Sequence, residues 1–406
     1  MLVYLNRPFF PFRKSSKKYS REVLTNFSKP IKKNNNSFLA KKRISEILNE
    51  FSKDHGIQPR MAIELEFTLR DHKGQPYRLK NDEFKALETL LKQKYSSLKR
   101  IDYDGKYDLE AVFDSQDSNP LALVNDIDSF KINLKRIIRN LNQQNRGFFN
   151  GEKLSMCLNP YQPDISRFSS NTYGLHINMS LYKDGKNIFA SDKELLYKVA
   201  SNILDVQGAS FTLASGKTGI ERISKGNTSP KILAIRRNLA GGGEPRLNSL
   251  INLLAGFAPF SLLRLTNQGA SFDLAQIGLD FTSILLLLIT RTKSQNPSIG
   301  IRELEKNPLF KWVPSKRLIK SSSETRIENR IPGADQSIAL GVLSTLYPSL
   351  VALKSKDSAP SADRPFEQNA EELLSEVVDN VDKLKEIYGE DLFSSLYVNA
   401  VKQLLN

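Results

Sequence analysis

The sequence is poor in the residues that make disulfides and thiolate metal sites. Its 406 residues include one cysteine, Cys157, one tryptophan and three histidines. A single cysteine excludes an internal disulfide and zinc sites built from paired cysteines, and it suits a reducing compartment. Hydrophobic residues make up 40% and charged residues 25%, which is typical of soluble globular proteins. We therefore expect a large globular chain located in the cytoplasm.

Long apolar runs are also scarce. The longest, ILLLLI at 284–289, lies in a segment far shorter than the roughly 20 residues that a membrane-spanning helix needs. We interpret this run as a buried helix within an apolar, helical segment over about 248–320. The first residues combine no long apolar core with a cleavage signature, so we expect no secretory signal.

Acidic residues are missing from the start of the chain, although the whole chain carries a formal charge of +15. No Asp or Glu precedes Glu22, and stretches such as RKSSKKYSR and AKKR load residues 1–43 with positive charge. Such a tail is typical of a solvated arm, and we predict a flexible arm over 1–43. The alternatives are organelle targeting or delivery, and binding to an anionic partner such as nucleic acid or a membrane.

Strand and helix patterns follow one another through 44–406 without a regular βαβ rhythm. MAIELEFTLRD and YDLEAVFD have the alternation of strands, and GLHINMSLY predicts another strand that is followed by a turn at KDGKN. NDIDSFKINLKRIIRNL and DKELLYKVASNILDV have the periodicity of helices. This mixture favours the α+β class with an antiparallel sheet over a doubly wound parallel sheet. We treat 44–406 as one domain that ends in two helices over 366–406.

Polar residues two positions apart recur in the predicted strands, which puts them on one face while apolar neighbours take the other. They are Glu64 and Glu66 in IELEF, Asp108 and Glu110 in YDLEAVFD with Asp102 and Asp104 upstream, His176 and Asn178 in GLHINMSLYKDGKNIF, and Arg326, Glu328 and Arg330 in TRIENR. A sheet of these strands would have one face under helices. Its other face would carry carboxylates, arginines and one histidine.

Carboxylates crowded on one face repel one another unless cations lie between them. A carboxylate-rich set with one imidazole suits Mg²⁺ or Mn²⁺, and interleaved arginines recognise phosphate or carboxylate groups. Together these residues predict a metal–phosphate site. Each pattern alone also fits an ordinary solvated sheet face, and R-x-E-x-R fits a cross-strand ion-pair ladder.

The same segments resemble glutamine synthetase, in family order over 61–247 and 322–352. GLHINMSLYKDGKNIF resembles the family's histidine strand, RIENRIPGAD its R-x-E-x-R-x-P segment, IELEF its first metal strand and DLEAVFD its acidic strand. The resemblance implies the family's catalytic-domain fold for 44–406. That fold is a curved antiparallel sheet whose concave face is lined with carboxylates and arginines, with helices packed on the outside.

The resemblance also implies roles for the matching residues. One metal ion would be held by Glu66, Glu110 and an acid near Asp102, with Asp104 as the competing choice, and a second ion by Glu64, His176 and Glu328. Substrate contacts would come from Asn171, Arg222 and Arg330, ATP or phosphate contacts from Arg237, Arg246 and Asn178, and catalytic roles would fall to Arg237 and Arg330. Asn178 stands where the family has a second histidine.

The implied activity is amide formation with two Mg²⁺ or Mn²⁺ ions. ATP would phosphorylate the carboxylate of a glutamate-like amino acid, and an amine would displace phosphate from the acyl phosphate. Three departures bear on the amine: no β-grasp domain is evident before IELEF, the SKGNTSP loop has Thr228 near the place of the family's glutamate, and 248–320 is inserted. We therefore expect an amine other than free ammonia and possible homo-oligomers. The alternative is an altered or inactive relative that serves as an interaction or regulatory module.

Overall fold

The structure is a computed structural model that describes residues 35–104, 106–114, 119–144, 149, 153–162, 172–226, 230–237, 297–302, 325–355, 364–367 and 369–405. Its helices are α1 (Asn35–His55), α2 (Asn81–Lys94), α3 (Pro120–Gln144), α4 (Ile188–Ser191), α5 (Lys193–Ala214), α6 (Lys217–Lys225), α7 (Ile338–Lys354), α8 (Ala370–Asp379), α9 (Val381–Tyr388) and α10 (Glu390–Leu405). Its strands are β1 (Ile57–Arg70), β2 (Leu98–Tyr103), β3 (Asp108–Asp114), β4 (Ser155–Cys157), β5 (Leu175–Lys183), β6 (Lys186–Asn187), β7 (Ile232–Arg237), β8 (Pro297–Arg302), β9 (Arg326–Asn329) and β10 (Arg364–Pro365).

One open sheet joins all the strands of the described part of the chain. Its order is β10-β7-β8-β9-β5-β1-β3-β2, with β4 also on β1 and β6 also on β5. Strands β7 and β8 pair in parallel, and the other pairs are antiparallel. The expected mixture of helices with a mainly antiparallel sheet is therefore confirmed, apart from the one parallel pair.

Alternation along the strands gives the sheet an apolar face that helices cover. In β1, Ile63, Leu65 and Phe67 are fully buried, and Glu64 and Glu66 take the opposite parity. Helices α1 and α3 pack on β1, and the largely buried α7 packs on β5 and on α1, α3 and α5. Burial of this face fixes the register of the strands, because a slip of one residue would exchange the two faces.

The predicted KDGKN turn joins β5 to β6 as a tight hairpin. Asp184 has φ of 51° and Gly185 has φ of 74°. Two successive residues with positive φ define a type I′ turn, which matches the twist of the flanking strands and favours the Asp-Gly pair found here. This sequence prediction is confirmed.

The ends of several helices differ from the sequence expectations. Helix α1 begins at Asn35, inside the predicted arm, and buries Ala40 against the core. Helix α5 continues through the QGASFTLA stretch to Ala214. The C-terminal part forms three helices instead of two, with breaks at Asn380 and at Gly389, whose φ is 78°. Such a φ favours glycine and ends a helix readily.

The predicted helical segment over about 248–320 contains a strand, β8. Its SIGIR sequence has the β-branched alternation of a strand, and Ile299 and Ile301 are fully buried between β7 and β9. The apolar run at 284–289 and residues 1–34 of the predicted arm lie outside the described residues. No helix in the described part of the chain is long and apolar enough to cross a membrane.

Phe130 of α3 anchors this helix to the apolar face of the sheet. Its ring lies 6.2 Å from Phe67 of β1 and 5.0 Å from Phe113 of β3, and it is 5.5 Å from Tyr95, as measured between ring centroids. All three pairs are edge-to-face, which adds to the energy of burial. The contact ties α3 to two neighbouring strands of the sheet.

Phe130→Ala should lower the free energy of unfolding by about 3–5 kcal/mol, because it removes a buried ring and leaves a cavity. The matched control is Ile132→Ala on the same helix, where the side chain is 64% exposed and its loss should cost little. Urea unfolding of both variants measures the difference. Equal losses in the two variants would contradict this account of the core.

Candidate metal centre

The strand register brings the polar residues predicted for the site onto one face of the sheet. Directly opposite residues in antiparallel strands share a face. The opposed pairs are Glu64 with His176, Glu66 with Glu110, and Asn178 with Glu328. These pairs lie on β1, β3, β5 and β9, which are neighbours in the sheet although they are far apart along the chain.

Three of these residues, Glu64, His176 and Glu328, form what we call the inner group. One ligand atom from each lies within 4.8 Å of the others. The Nδ1 atom of His176 is 3.4 Å from Glu64 Oε2 and 3.8 Å from Glu328 Oε1. All three side chains are buried, and Glu328 has no exposed surface. Two carboxylates therefore face one imidazole nitrogen in an enclosed position.

Glu66, Asp104 and Glu110 form what we call the outer group, which lies beside the inner group and is less buried. Their carboxylate oxygens also lie within 4.8 Å of one another. The Nε2 atom of His176 is 3.7 Å from Glu66 Oε1, so its imidazole lies between the two groups. Among the described residues, these two groups are the clusters with spacing suited to a metal ion.

The structure separates the two candidate aspartates. Asp104 follows the end of β2, where its N–H donates to Asp108 O across the turn at 2.9 Å, and its carboxylate belongs to the outer group. Asp102 is outside that group: its side chain is 58% exposed and lies 2.8 Å from Arg100 Nε. Because Asp102 pairs with Arg100 on the same strand, the geometry favours Asp104 over Asp102 as the acid beside Glu66 and Glu110.

Glu110 shows how strongly the carboxylates act on one another. Removal from water raises the pKa of Glu110 well above its usual value. The charges of Glu64, Asp104 and Glu66 raise that pKa further, and Arg100 opposes them. The site therefore favours an added positive charge, as a proton or as a cation.

Arg222, a predicted substrate contact, is 2% exposed and lies beside the inner and outer groups. Its Nη1 donates to Ile331 O at 2.9 Å and its Nη2 to Arg330 O at 3.4 Å, which fixes the chain after β9. Burial lowers the pKa of Arg222 to about 10, opposed chiefly by the charge of Glu66. Its Nε has no hydrogen-bond partner within the described structure.

Arg330 is buried directly after β9. Its Nη1 donates to Glu328 Oε1 at 3.3 Å, and its Nε has no partner in the described regions. Two buried guanidinium groups, those of Arg222 and Arg330, therefore keep donors available beside the carboxylates.

The remaining predicted residues are only partly located. Asn178 lies on the site face, 2% exposed, and its Nδ2 donates to Glu64 Oε1 at 3.2 Å. Arg237 ends β7, and its side chain is outside the described residues. Asn171, Arg246 and Thr228 also lie outside the described residues. Their assigned roles stay predictions.

Sequence reasoning missed Gly174, which the close packing of the site requires. Its N–H donates to Glu66 Oε2 at 2.6 Å. A Cβ atom there would lie 2.6 Å from Arg222 Nη2 and 2.8 Å from His176 Nε2. The glycine directly before the LHIN strand was the available signal, because a glycine beside a polar strand often marks a close approach.

Lys131 of α3 was also missed, and no pattern in the sequence marks it. Its Nζ donates to Ala334 O at 2.7 Å and to Gln336 O at 3.0 Å, which holds the loop between β9 and α7. Burial lowers the pKa of Lys131 to about 8, although Asp335 and Asp128 oppose the shift. The loop that follows the site strand is therefore held from α3 as well as by Arg222.

Comparison with known proteins supports the fold. No protein-family model matches the chain, and no curated protein matches it. Among solved structures, it resembles a crystal structure described as a novel glutamine synthase homolog, with a TM-score of 0.57 and 14% sequence identity. The match covers 90% of this chain and 70% of that one. The likeness shows a glutamine synthetase-like fold.

Gly174→Ala should displace the His176 ring and the Arg222 guanidinium while leaving the fold intact, since both crowded atoms are ends of side chains. The three histidines make ring NMR signals a direct measurement, with His176→Gln used for assignment. We expect only the His176 signals to move. Gly216→Ala is the control, because its Cβ would meet nothing closer than 3.5 Å. Unchanged His176 signals in Gly174→Ala would overturn the packing described here.

Lys131→Met should flatten the dependence of stability on pH in alkaline solution. Between pH of about 8 and the ordinary lysine pKa of 10.5, the folded protein has released a proton that the unfolded chain keeps. Stability from this group therefore rises with pH over that window in the wild type. Urea unfolding across the window measures the slope, with Lys85→Met at an exposed position of α2 as control. A slope equal to wild type in Lys131→Met would contradict the assignment.

Proposed function

We propose that this protein is an ATP- and divalent-metal-dependent ligase that joins a carboxylate to an amine through an acyl phosphate. The observation that carries the proposal is the pair of carboxylate groups on one sheet face, with His176 between them and buried arginines beside them. The glutamine synthetase-like fold supports the same reading.

The residues present fit two divalent ions. Five carboxylates make up the two groups together with one imidazole, and this donor chemistry suits Mg²⁺ or Mn²⁺. When all are ionised, the five carboxylates outnumber the three nearby arginines, Arg100, Arg222 and Arg330, so the site carries a net negative charge. Two divalent cations would reverse the sign of the site, which would then attract an anionic substrate.

Each group has a distinct part in the proposed mechanism. Glu64, His176 and Glu328 would hold one ion, and Glu66, Asp104 and Glu110 the other. Bound ions supply the positive charge that offsets the charge of a transferring phosphoryl group.

The arginines would orient the anionic substrates. Arg222 keeps a buried Nε donor and would bind the substrate carboxylate, as the resemblance implies. Arg330 would donate from Nε to the phosphoryl oxygens while its Nη1 stays on Glu328. Arg237, Arg246 and Asn171 enter the proposal from the resemblance, as further phosphate and substrate contacts. Water exclusion by the buried inner group strengthens each of these electrostatic contacts.

The amine is the part in which this chain departs from the family pattern. The SKGNTSP segment has no carboxylate to deprotonate ammonium, and Thr228 stands near that place. We therefore propose a glutamate-like carboxylate substrate with an amine other than free ammonia. An amine of low basicity, which is already uncharged near neutral pH, would need no carboxylate at that position to remove a proton.

Glu328→Gln should lower ATP turnover by about 100-fold or more, because it removes a ligand charge from the inner group. The assay follows phosphate release with Mg²⁺ or Mn²⁺ and a panel of amino-acid carboxylates and amines. Glu88→Gln is the matched control, since Glu88 pairs with Lys92 on the surface of α2. It should leave turnover unchanged.

Wild-type protein without turnover on every pair, and without a rise in melting temperature on adding ATP and Mn²⁺, would overturn the proposal. Ligands that bind the folded state must stabilise it. That result would favour the alternative, a glutamine synthetase-like interaction or regulatory module without catalysis.

A further inference from the structure

Asn178 leaves a buried oxygen without a partner beside the inner group. The residue is 2% exposed, and its Oδ1 accepts no hydrogen bond within the described structure. Its position on β5 is opposite Glu328 on β9 and Ala62 on β1, so the side chain lies on the site face. A buried carbonyl oxygen without a partner costs about 1–3 kcal/mol, so the position calls for one.

The orientation of this amide follows from its neighbour. The Nδ2 atom donates to Glu64 Oε1 at 3.2 Å. A carboxylate only accepts hydrogen bonds, so turning the amide over would set two oxygens against each other. Glu64 therefore directs the amide nitrogen to itself and leaves the oxygen for another partner.

A cation satisfies this oxygen without any further protein donor. Amide carbonyl oxygens are ligands for hard divalent ions, as carboxylates are. With Glu64, His176 and Glu328, Asn178 would complete a set of two carboxylates, one imidazole and one neutral oxygen. The two negative charges of that set balance one divalent ion, and the fourth ligand adds no charge.

We infer that Asn178 Oδ1 is a fourth protein ligand of the divalent ion held by Glu64, His176 and Glu328. The inference rests on the metal site of the proposed function and adds a residue to it. The Nδ2 of the same amide meanwhile holds Glu64 in place, so one side chain both binds the ion and positions a second ligand.

Mn²⁺ titration followed by EPR tests this inference without any assay of turnover. Asn178→Ala should weaken one Mn²⁺ site by about 10-fold or more. Asn178→Asp keeps an oxygen at the same place but loses the N–H donor, so it should bind Mn²⁺ at least as tightly as wild type. Repeating the titrations in a Glu110→Gln background separates the inner site from the outer one.

Asn329→Ala is the matched control. Asn329 is an equally buried asparagine on β9, but it is opposite Ile177 and bonds Gln207 and Thr345 under the sheet. Its loss should lower stability and leave Mn²⁺ affinity unchanged.

Each outcome separates the two hypotheses. Equal affinity in wild type and Asn178→Ala would overturn the inference alone. Weak binding in both Asn178→Ala and Asn178→Asp would also overturn it, because Asn178 would then act only through its N–H on Glu64. Absence of Mn²⁺ binding in wild type would overturn the metal site of the proposed function, and the inference with it.

Discussion

Repulsion among five carboxylates on one sheet face is the constraint on which the rest of this structure depends. The strands that carry four of them are fixed in register by the apolar face beneath, so these acids cannot move apart by slipping along the sheet. Burial and this repulsion raise the pKa of Glu110 well above that of an exposed glutamate. Carboxylates on a solvated sheet face would repel one another less. In this enclosed position, added positive charge is needed to offset the repulsion.

The surroundings reduce this cost without removing it. A backbone N–H from Gly174 bonds one oxygen of Glu66, and Arg330 bonds Glu328. Arg222 turns both terminal nitrogens of its guanidinium to carbonyl groups of the chain after β9. These contacts orient Glu66 and Glu328, and the other oxygen of Glu66, Oε1, lies 3.7 Å from His176 Nε2. Rigid orientation of this kind favours ion binding, because little freedom is lost when the ion enters.

Much of this site could be predicted because strand periodicity carries it. Glu64, Glu66 and His176 follow an alternation of two, and the buried partners between them define the face. The choice between Asp102 and Asp104 could not be made from spacing, because it depends on the direction of the Arg100 side chain. The same limit applies to Lys131, which reaches a loop 203 residues away along the chain.

Fold prediction succeeded and failed for related reasons. The class followed from irregularly mixed strands and helices, and the KDGKN turn followed from the need for positive φ at Asp184 and Gly185. Strand β8 was missed because a short run of apolar residues beside a longer one gives no period of its own. Its parallel pairing with β7 is set by tertiary contact, which no local pattern encodes.

Because His176 lies between the two groups, ion binding at one group would affect ion binding at the other. A neutral imidazole carries one proton on one of its two nitrogens. If Nδ1 is engaged by an ion on the inner side, the proton resides on Nε2, which faces Glu66 Oε1 at 3.7 Å. Ion binding at the inner group would then fix the proton on Nε2, the nitrogen that faces Glu66 of the outer group. In the proposed metal-bound state, the two halves of the centre would thus be linked through the tautomer of His176, and the occupancy of one would depend on that of the other.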